Sequence, residues 1–371
     1  MKIKIASLIL LTVVFCAGTI LAQTDPDPDS GSSADPKDLS TVPASIPVIT
    51  QGISFQMNAQ LPQVPAVLPF YRPLTIDPLG LGARENAVRN IFDFQGGLIG
   101  TSSDESGNVE SAMYGDTEQR SLEIFRSGAL FFMKEQLFSE QAADLLNLHG
   151  STASASAHFT SQADSFLAQL GMQRQGLYLK NVSFAELEKI ENGSTSPQTT
   201  LVGAAVHYGL DIEGVPAWGP GAKTTVYFDA GGVTGYYDAM SDFEAVGEVD
   251  VIAPAAVMNA FVNVPRPQTL FRLHSGVVTR AVIEEVKLIY FMEAGNKDQQ
   301  FIMPHYLISG EFFGWNPGPD PQNPTQGSTT AAPAPFVWVE PVPEPGAFLQ
   351  LVSGLLGLTL LARRRKNAAR I

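Results

Sequence analysis

Apolar residues recur at every second position in much of the sequence after residue 173, and this pattern constrains the fold more than any other feature. A period of two is typical of β-strands, because successive side chains of a strand point to opposite faces of the sheet. Two predicted hairpins follow, one across Gly231-Gly232 and one across the polar segment 293–300. The predicted strands are 174–183, 200–212, 222–229, 233–238, 277–292 and 300–313.

The preceding part of the chain shows helical spacing. Residues 83–97 place Val88 and Phe92 on one side of a predicted helix that Gly96-Gly97 ends. Residues 121–137 read as a hairpin, and further helices are predicted at 139–150, 160–172 and 253–261. Helices followed by runs of strands favour the α+β class, with helices packed on an antiparallel sheet.

Composition divides the chain into a body and two polar flanks. The length of 371 residues suits one elaborated domain or two small ones. Residues 23–69 are rich in Pro, Asp and Ser at their start and predict a disordered leader. Residues 316–341 predict a Pro/Gly/Thr-rich linker, and residues 70–315 the folded body.

The N-terminus has the layout of a secretory signal peptide, residues 1–22. Lys2 and Lys4 precede an apolar stretch, and the small residue Ala22 stands at a plausible cleavage position. Cys16, the one cysteine of the sequence, lies inside that stretch. Removal of the signal would leave a mature chain without disulfides, whose stability depends on packing.

The C-terminus carries an apolar run that predicts a transmembrane helix at 347–362. This run of 16 residues is short for a span of about 20. Four basic residues follow it as a stop-transfer segment: Arg363, Arg364, Arg365 and Lys366. By the positive-inside rule this end stays in the cytoplasm, which is the topology that the N-terminal signal also demands.

Pro343-Glu344-Pro345 stands directly before that run, so residues 342–371 resemble the PEP-CTERM sorting signal of exported bacterial proteins. The resemblance implies recognition by a membrane-embedded exosortase, cleavage of the tail, and delivery to the cell surface or the extracellular matrix. The alternative is a simple C-terminal membrane anchor in which the tripeptide occurs by chance.

The body carries a looser resemblance, to the PepSY and FTP-like modules of extracytoplasmic proteins. The residues that carry it are Gly214, Val215, Pro216 and Gly219 at a corner between strands, with Gly232 and Gly235 at a following turn. This resemblance implies helices on an antiparallel sheet, in two related units. It also implies a regulatory or inhibitory role toward a peptidase or a peptide.

No residue set in the sequence forms a convincing catalytic, cofactor or metal site. The five histidines lack the i, i+4 spacing of a helical zinc site: His149, His158, His207, His274 and His305. His207 and His305 are predicted to be hydrogen-bonded strand residues. The segment GPGAKT (219–224) lacks the glycines of a phosphate loop.

Two further features leave functional and structural interpretations open. Glu284 and Glu285 are adjacent on a strand and point to opposite faces, so they cannot form one carboxylate pair. One of them could line a site, although pairing with Lys287 or Arg280 is favoured. Aromatic clusters could stack on a ligand or form core: Phe131-Phe132, Tyr236-Tyr237 and Phe312-Phe313-Gly314-Trp315.

These features predict a non-enzymatic bacterial protein that is exported, passes transiently through the inner membrane and reaches the surface or the matrix. A net charge of −14 argues against nucleic acid as a partner. The predicted partners are the translocon, signal peptidase and exosortase, with a matrix polysaccharide or a peptidase for the body. The alternatives are the PepSY-like regulatory module and a secreted hydrolase with an unrecognised site.

Overall fold

The computed structural model describes residues 53–134, 137–138, 143–172, 174–189, 198–263, 277–297, 299–316, 329–330 and 333–341. Strands dominate these residues: β1 (Ser54–Met57), β2 (Val67–Pro73), β3 (Gly97–Ser103), β4 (Val109–Gly115), β5 (Ser121–Phe125), β6 (Leu130–Met133), β7 (Leu177–Lys189), β8 (Gln198–Ile212), β9 (Val215–Trp218), β10 (Thr224–Asp229), β11 (Gly232–Asp238), β12 (Phe243–Asp250), β13 (Val277–Phe291), β14 (Met303–Asn316), β15 (Thr329–Thr330) and β16 (Ala334–Pro341). The helices are α1 (Ala83–Ile91), α2 (Leu145–His149), α3 (Thr152–Gln169) and α4 (Pro254–Asn263).

The chain divides into two compact units. In the described part of the chain, unit 1 consists of Arg72–Glu244 and Met292–Gln300, and unit 2 contains the remaining residues. In unit 1, antiparallel strands follow the order β3-β4-β5-β6-β11-β10-β8, and β7 pairs with β8 along its length. The strand β9 returns on β8 through a two-residue turn, in which Glu213 (φ 54°) and Gly214 (φ 86°) adopt the left-handed conformation of type I′ turns.

The core of unit 1 lies on one face of its sheet and includes buried residues of α1 and α3. Alternate strand residues point into it, among them Phe132, Val206 and Tyr236. Helix α3 contributes Phe159 and Phe166 to the same cluster. The chain neighbours Phe131, His207 and Tyr237 therefore face the opposite side of the sheet, because strand side chains alternate.

Unit 2 is built on the long antiparallel pair β13-β14. Strand β1 runs parallel to β13, and both β15 and β16 pair with β14. Phe55 of β1 and Trp338 of β16 both lie against Phe261 of α4, with ring centres 5.7 and 6.1 Å apart from it. Strands β2 and β12 pair separately as a two-stranded sheet.

The expected α+β class, with helices packed on an antiparallel sheet in two PepSY-like units, is wrong. The protein is mostly β, and α2 is a single short turn of helix. Strands β3 and β4 went unpredicted because they contain few of the β-branched and aromatic residues that mark strands. GLIGTSS has only Ile99 and Thr101, and VESAMYG has only Val109 and Tyr114. The two apolar terminal helices lie outside the described residues.

The polar flanks also contribute strands. Strand β1 and the start of β2 fall in the predicted leader, and β15 and β16 in the predicted linker. Phe336, in the predicted linker, stacks on Phe312 with ring centres 4.3 Å apart. The folded part of the chain therefore reaches beyond 70–315 on both sides. Among the helices of the described residues, none has the length and apolar character needed to cross a membrane.

Other predicted elements are found with shifted limits. The hairpins β5-β6, β10-β11 and β13-β14 form as expected. Helix α1 ends at Ile91, before the expected glycine pair. Helix α3 begins at Thr152, earlier than predicted, because Ser151 caps it by accepting from the backbone amide of Ser154.

Candidate functional site

The residues that carry the sorting prediction lie outside the described residues. These are Ala22, the motif Pro343, Glu344 and Pro345, and the basic segment Arg363, Arg364, Arg365 and Lys366. His274 and the segment 1–22 lie outside as well.

His207 forms the best-defined polar cluster on the sheet of unit 1. Its Nε2 lies 2.8 Å from the Oγ of Ser183 on β7, and its Nδ1 lies 3.1 Å from the Oγ1 of Thr225 on β10. The strand register explains this geometry, since Thr225 is paired directly with His207 and Ser183 with Ala205, two positions before it. The predicted hydrogen-bonded strand histidine is thus found.

This cluster contains two of the three groups of a catalytic triad, a serine hydroxyl and an imidazole. A serine hydroxyl within hydrogen-bond distance of an imidazole is the arrangement that activates serine for acyl transfer. The other imidazole nitrogen, however, meets the neutral hydroxyl of Thr225. A carboxylate at that position would stabilise an imidazolium, and a threonine hydroxyl cannot do so.

Aromatic residues extend the His207 cluster across the sheet. The register pairs Thr225 with Tyr237 and Tyr237 with Phe131, so these side chains form a row across neighbouring strands. The rings of Phe131 and Tyr237 meet edge to face at 5.8 Å, and both are partly buried. Their chain neighbours Phe132 and Tyr236 are core residues, so each predicted aromatic pair contributes to both faces.

A buried ionic cluster in unit 1 was missed by sequence reasoning. Asp238, at the end of β11, is fully buried and accepts hydrogen bonds from Arg84 Nη1 (3.0 Å) and Thr224 Oγ1 (2.7 Å). Arg174 Nη2 lies 3.3 Å from the same carboxylate and donates to the carbonyl oxygen of Met240. Arg84 also donates to the carbonyl oxygen of Gly128. The cluster thus joins α1, the β5-β6 turn, two strands and the segment after α3.

The charged groups of this cluster shift the pKa values of their neighbours. Burial is the largest influence on the pKa of Arg84 and lowers it, but the negative charges around the guanidinium, of which Asp238 is the strongest and Glu85 and Asp242 are others, together raise the pKa above its usual value. Burial, and then the charge of Asp238, raise the pKa of Tyr236 well above its usual value. Because Asp238 already accepts two arginines, one hydroxyl and the Met240 amide, its chemistry is that of a structural anchor.

The acidic pair on β13 does not form a site. Glu284 is exposed, and Glu285 makes an ion pair with Lys287 at 2.6 Å. Arg280, the other expected partner, instead places its guanidinium 4.3 Å from the ring centre of Phe313. The favoured pairing with Lys287 is therefore found.

Other sequence candidates have structural roles. In the segment 219–224, the backbone amides of Gly221 and Ala222 donate to the carbonyls of Met292 and Gly219, so they do not point together at a ligand. The Nδ1 of His305 hydrogen-bonds the carbonyl oxygen of Met303, and burial lowers its pKa. Within the described ranges, no three His, Cys, Asp or Glu side chains come close enough to hold a metal ion.

A shallow polar cleft lies at the turn end of strands β3 to β6. Its lining includes Ser102, Glu110, Arg126 and Lys297. Ser127 closes one side by donating to the carbonyl oxygen of Gly295 over 2.6 Å. The cleft is lined by charges of both signs, so its charge favours neither anionic nor cationic ligands.

Comparisons with known proteins give little guidance. No protein-family model matches the chain. No curated protein matches it either. Among solved structures, it is similar to an uncharacterised protein from Eubacterium rectale, with 9% sequence identity and a TM-score of 0.43, over 78% of this chain and 89% of that one. This similarity is too low to support an inference about fold or function.

Proposed function

We propose that the protein is a non-enzymatic, exported surface or matrix component, sorted and cleaved through its C-terminal Pro-Glu-Pro motif. The observation that carries the proposal is the order of elements in residues 342–371. Pro343-Glu344-Pro345, the apolar run 347–362 and the basic segment beginning at Arg363 follow one another with only Gly346 between them. The signal-like N-terminus, which ends at Ala22, predicts the same topology.

The body has the features of a protein that lasts outside the cell without disulfides. The sequence has no cysteine after Cys16. Unit 1 combines a continuous apolar core with the buried cluster around Asp238. Such packing supports a binding or structural component, and the row from His207 to Phe131 supplies mixed polar and aromatic groups for contact with a partner.

The experiment for sorting compares tail processing in a host that contains an exosortase. Replacing Pro343, Glu344 and Pro345 by alanine is expected to leave the tail attached and the protein in the inner membrane. Replacement of Asn323, Pro324 and Thr325 by alanine is a matched control that alters the same number of residues. Fractionation with mass spectrometry of the C-terminal peptides measures the result. Intact tail peptides on the mature surface protein would contradict the proposal.

A secreted hydrolase is the second candidate, favoured by the 2.8 Å contact between Ser183 Oγ and His207 Nε2. The test is covalent labelling of the purified protein by a fluorophosphonate probe, with the Ser183→Ala variant as control. Labelling that disappears in this variant would establish an activated serine. Equal, background labelling of both proteins is expected for the non-enzymatic role.

A further inference from the structure

Two histidines that belong to none of the polar clusters of unit 1 lie against each other on its helices. The imidazole rings of His149, the last residue of α2, and His158 of α3 have centres 4.5 Å apart and planes tilted by 35°. Gly150 (φ 76°) is the C-cap of α2 and Ser151 is the N-cap of α3, so a short connection brings the two helices together.

The core fixes the position of this pair. Phe159, which is buried in the core of unit 1, meets the ring of His149 at 5.4 Å and that of His158 at 5.3 Å, both edge to face. His158 is exposed and His149 is partly exposed, so solvent reaches the pair. The pair thus lies on the buried ring of Phe159 and is open to solvent on its other side.

We propose that His149 and His158 bind one divalent transition-metal ion of the kind that imidazole prefers, with copper(II) favoured. Imidazole nitrogen binds such ions at about 2.0–2.1 Å. Two imidazoles on neighbouring positions of one ion then have ring centres about 4.5–5 Å apart, which the observed separation matches. His158 is exposed, so rotation about its side-chain bonds can adjust the direction of its ring nitrogens toward an ion held by His149.

Charge favours a cation at this place. His149 is at the C-terminal end of α2, where carbonyl groups attract positive charge. The whole chain is acidic, with a net charge of −14, and raises the local concentration of cations. Water completes the coordination, so the site is a surface site for uptake or bridging of the ion. Copper(II) is favoured because its affinity for nitrogen ligands exceeds that of the other divalent ions of the series.

The test is calorimetric titration of the untagged protein with copper(II) chloride, alongside electron paramagnetic resonance of the bound ion. The native protein is expected to bind one ion with nitrogen hyperfine structure from two imidazoles. His149→Ala and His158→Ala are each expected to weaken binding at least tenfold and to remove one nitrogen from the spectrum. Binding should also weaken in acid, because protonated imidazole cannot coordinate.

Two control variants separate this site from nonspecific binding. Gln162→Ala changes an exposed residue one turn further along α3, and His274→Ala removes a histidine outside the pair. Both should bind copper as the native protein does. Unchanged binding by the His158→Ala variant, whose exposed position tolerates the change, would show an adventitious ion only and overturn the proposal. The result is independent of tail processing, so failure of either proposal leaves the other intact.

Discussion

Arg84 donates from Nη1 to Oδ2 of Asp238 over 3.0 Å, at a position where the aspartate side chain has no solvent exposure. Arg174 approaches the same oxygen, and the buried carboxylate of Glu85 lies 3.5 Å from Arg84, so Asp238 is the carboxylate that the two largely buried guanidinium groups share. Elements that are distant in sequence meet at this point. The stability of unit 1 should therefore depend on the charge of Asp238 more than on that of any exposed acid.

Asp238→Asn should destabilise the protein by about 3–5 kcal/mol, the usual cost of leaving buried charges without their partner. Urea unfolding followed by circular dichroism measures the change in the free energy of unfolding. Asp242→Asn is the matched control, because its side chain is 72% exposed although it also contacts Arg174. The control should change stability by less than about 1 kcal/mol. Equal midpoints for the two variants would refute the anchoring role.

Phe336→Ala should destabilise unit 2 by about 1–3 kcal/mol, because it removes the ring that stacks on Phe312 at 4.3 Å. Val337, the next residue of β16, points to the other face, and its replacement by alanine provides a comparison at the same strand. Limited proteolysis should cut the Phe336→Ala variant faster within 333–341. A variant as stable as the native protein would show that the stacking of Phe336 on Phe312 contributes nothing to the stability of unit 2.

Gly310→Ala should destabilise the β13-β14 pair by about 1–3 kcal/mol through overpacking. A Cβ at this position would overlap the carbonyl oxygen of Val282 and lie 3.0 Å from the Cα of Ile283. Gly97→Ala is the control, since a Cβ there meets nothing within 4 Å. Thermal unfolding measures the melting temperature of both variants. A Gly310→Ala variant that melts at the same temperature as the native protein would disprove the close approach of Gly310 to the backbone of Val282.

Stability should fall as the pH rises from about 10 to about 12, partly because of Tyr306. Burial raises the pKa of Tyr306 to about 12, whereas the unfolded tyrosine ionises near the ordinary value of 10.0. The folded state thus holds the proton more tightly than the unfolded state. The resulting contribution to the free energy of unfolding is fully present below pH 10 and is lost as the pH rises through 12. Urea midpoints at intervals across this range measure the loss.

Tyr306→Phe tests the assignment of this pH dependence. The variant loses the hydrogen bond to the carbonyl oxygen of Ile252 (2.8 Å), so it should be less stable at neutral pH. Its stability should nevertheless decline less steeply between pH 10 and 12 than that of the native protein. An unchanged slope would mean that Tyr306 does not contribute to alkaline unfolding.

The sequence predicted those strands and helices whose pattern of apolar residues is complete within a few residues of chain. The hairpin β10-β11 follows from alternation on both sides of a glycine pair, and α1 from apolar spacing over two turns. The ion pair of Glu285 with Lys287 was likewise predictable, because residues two apart on a strand share a face. The weakly patterned strands β3 and β4 were missed, since their pairing partners are what make them strands.

The sequence by itself determined the alternating strands, the ends of α2 and α3 at Gly150 and Gly171, and the order of the terminal segments that predicts export. Only the tertiary structure decided that the protein is mostly β, that residues 334–341 belong to the fold, and which distant side chains meet. Arg84, Arg174 and Asp238 are separated by many residues, and so are Ser183, His207 and Thr225. Such contacts depend on strand order and register, which arise from burial across the whole chain and leave no local signal.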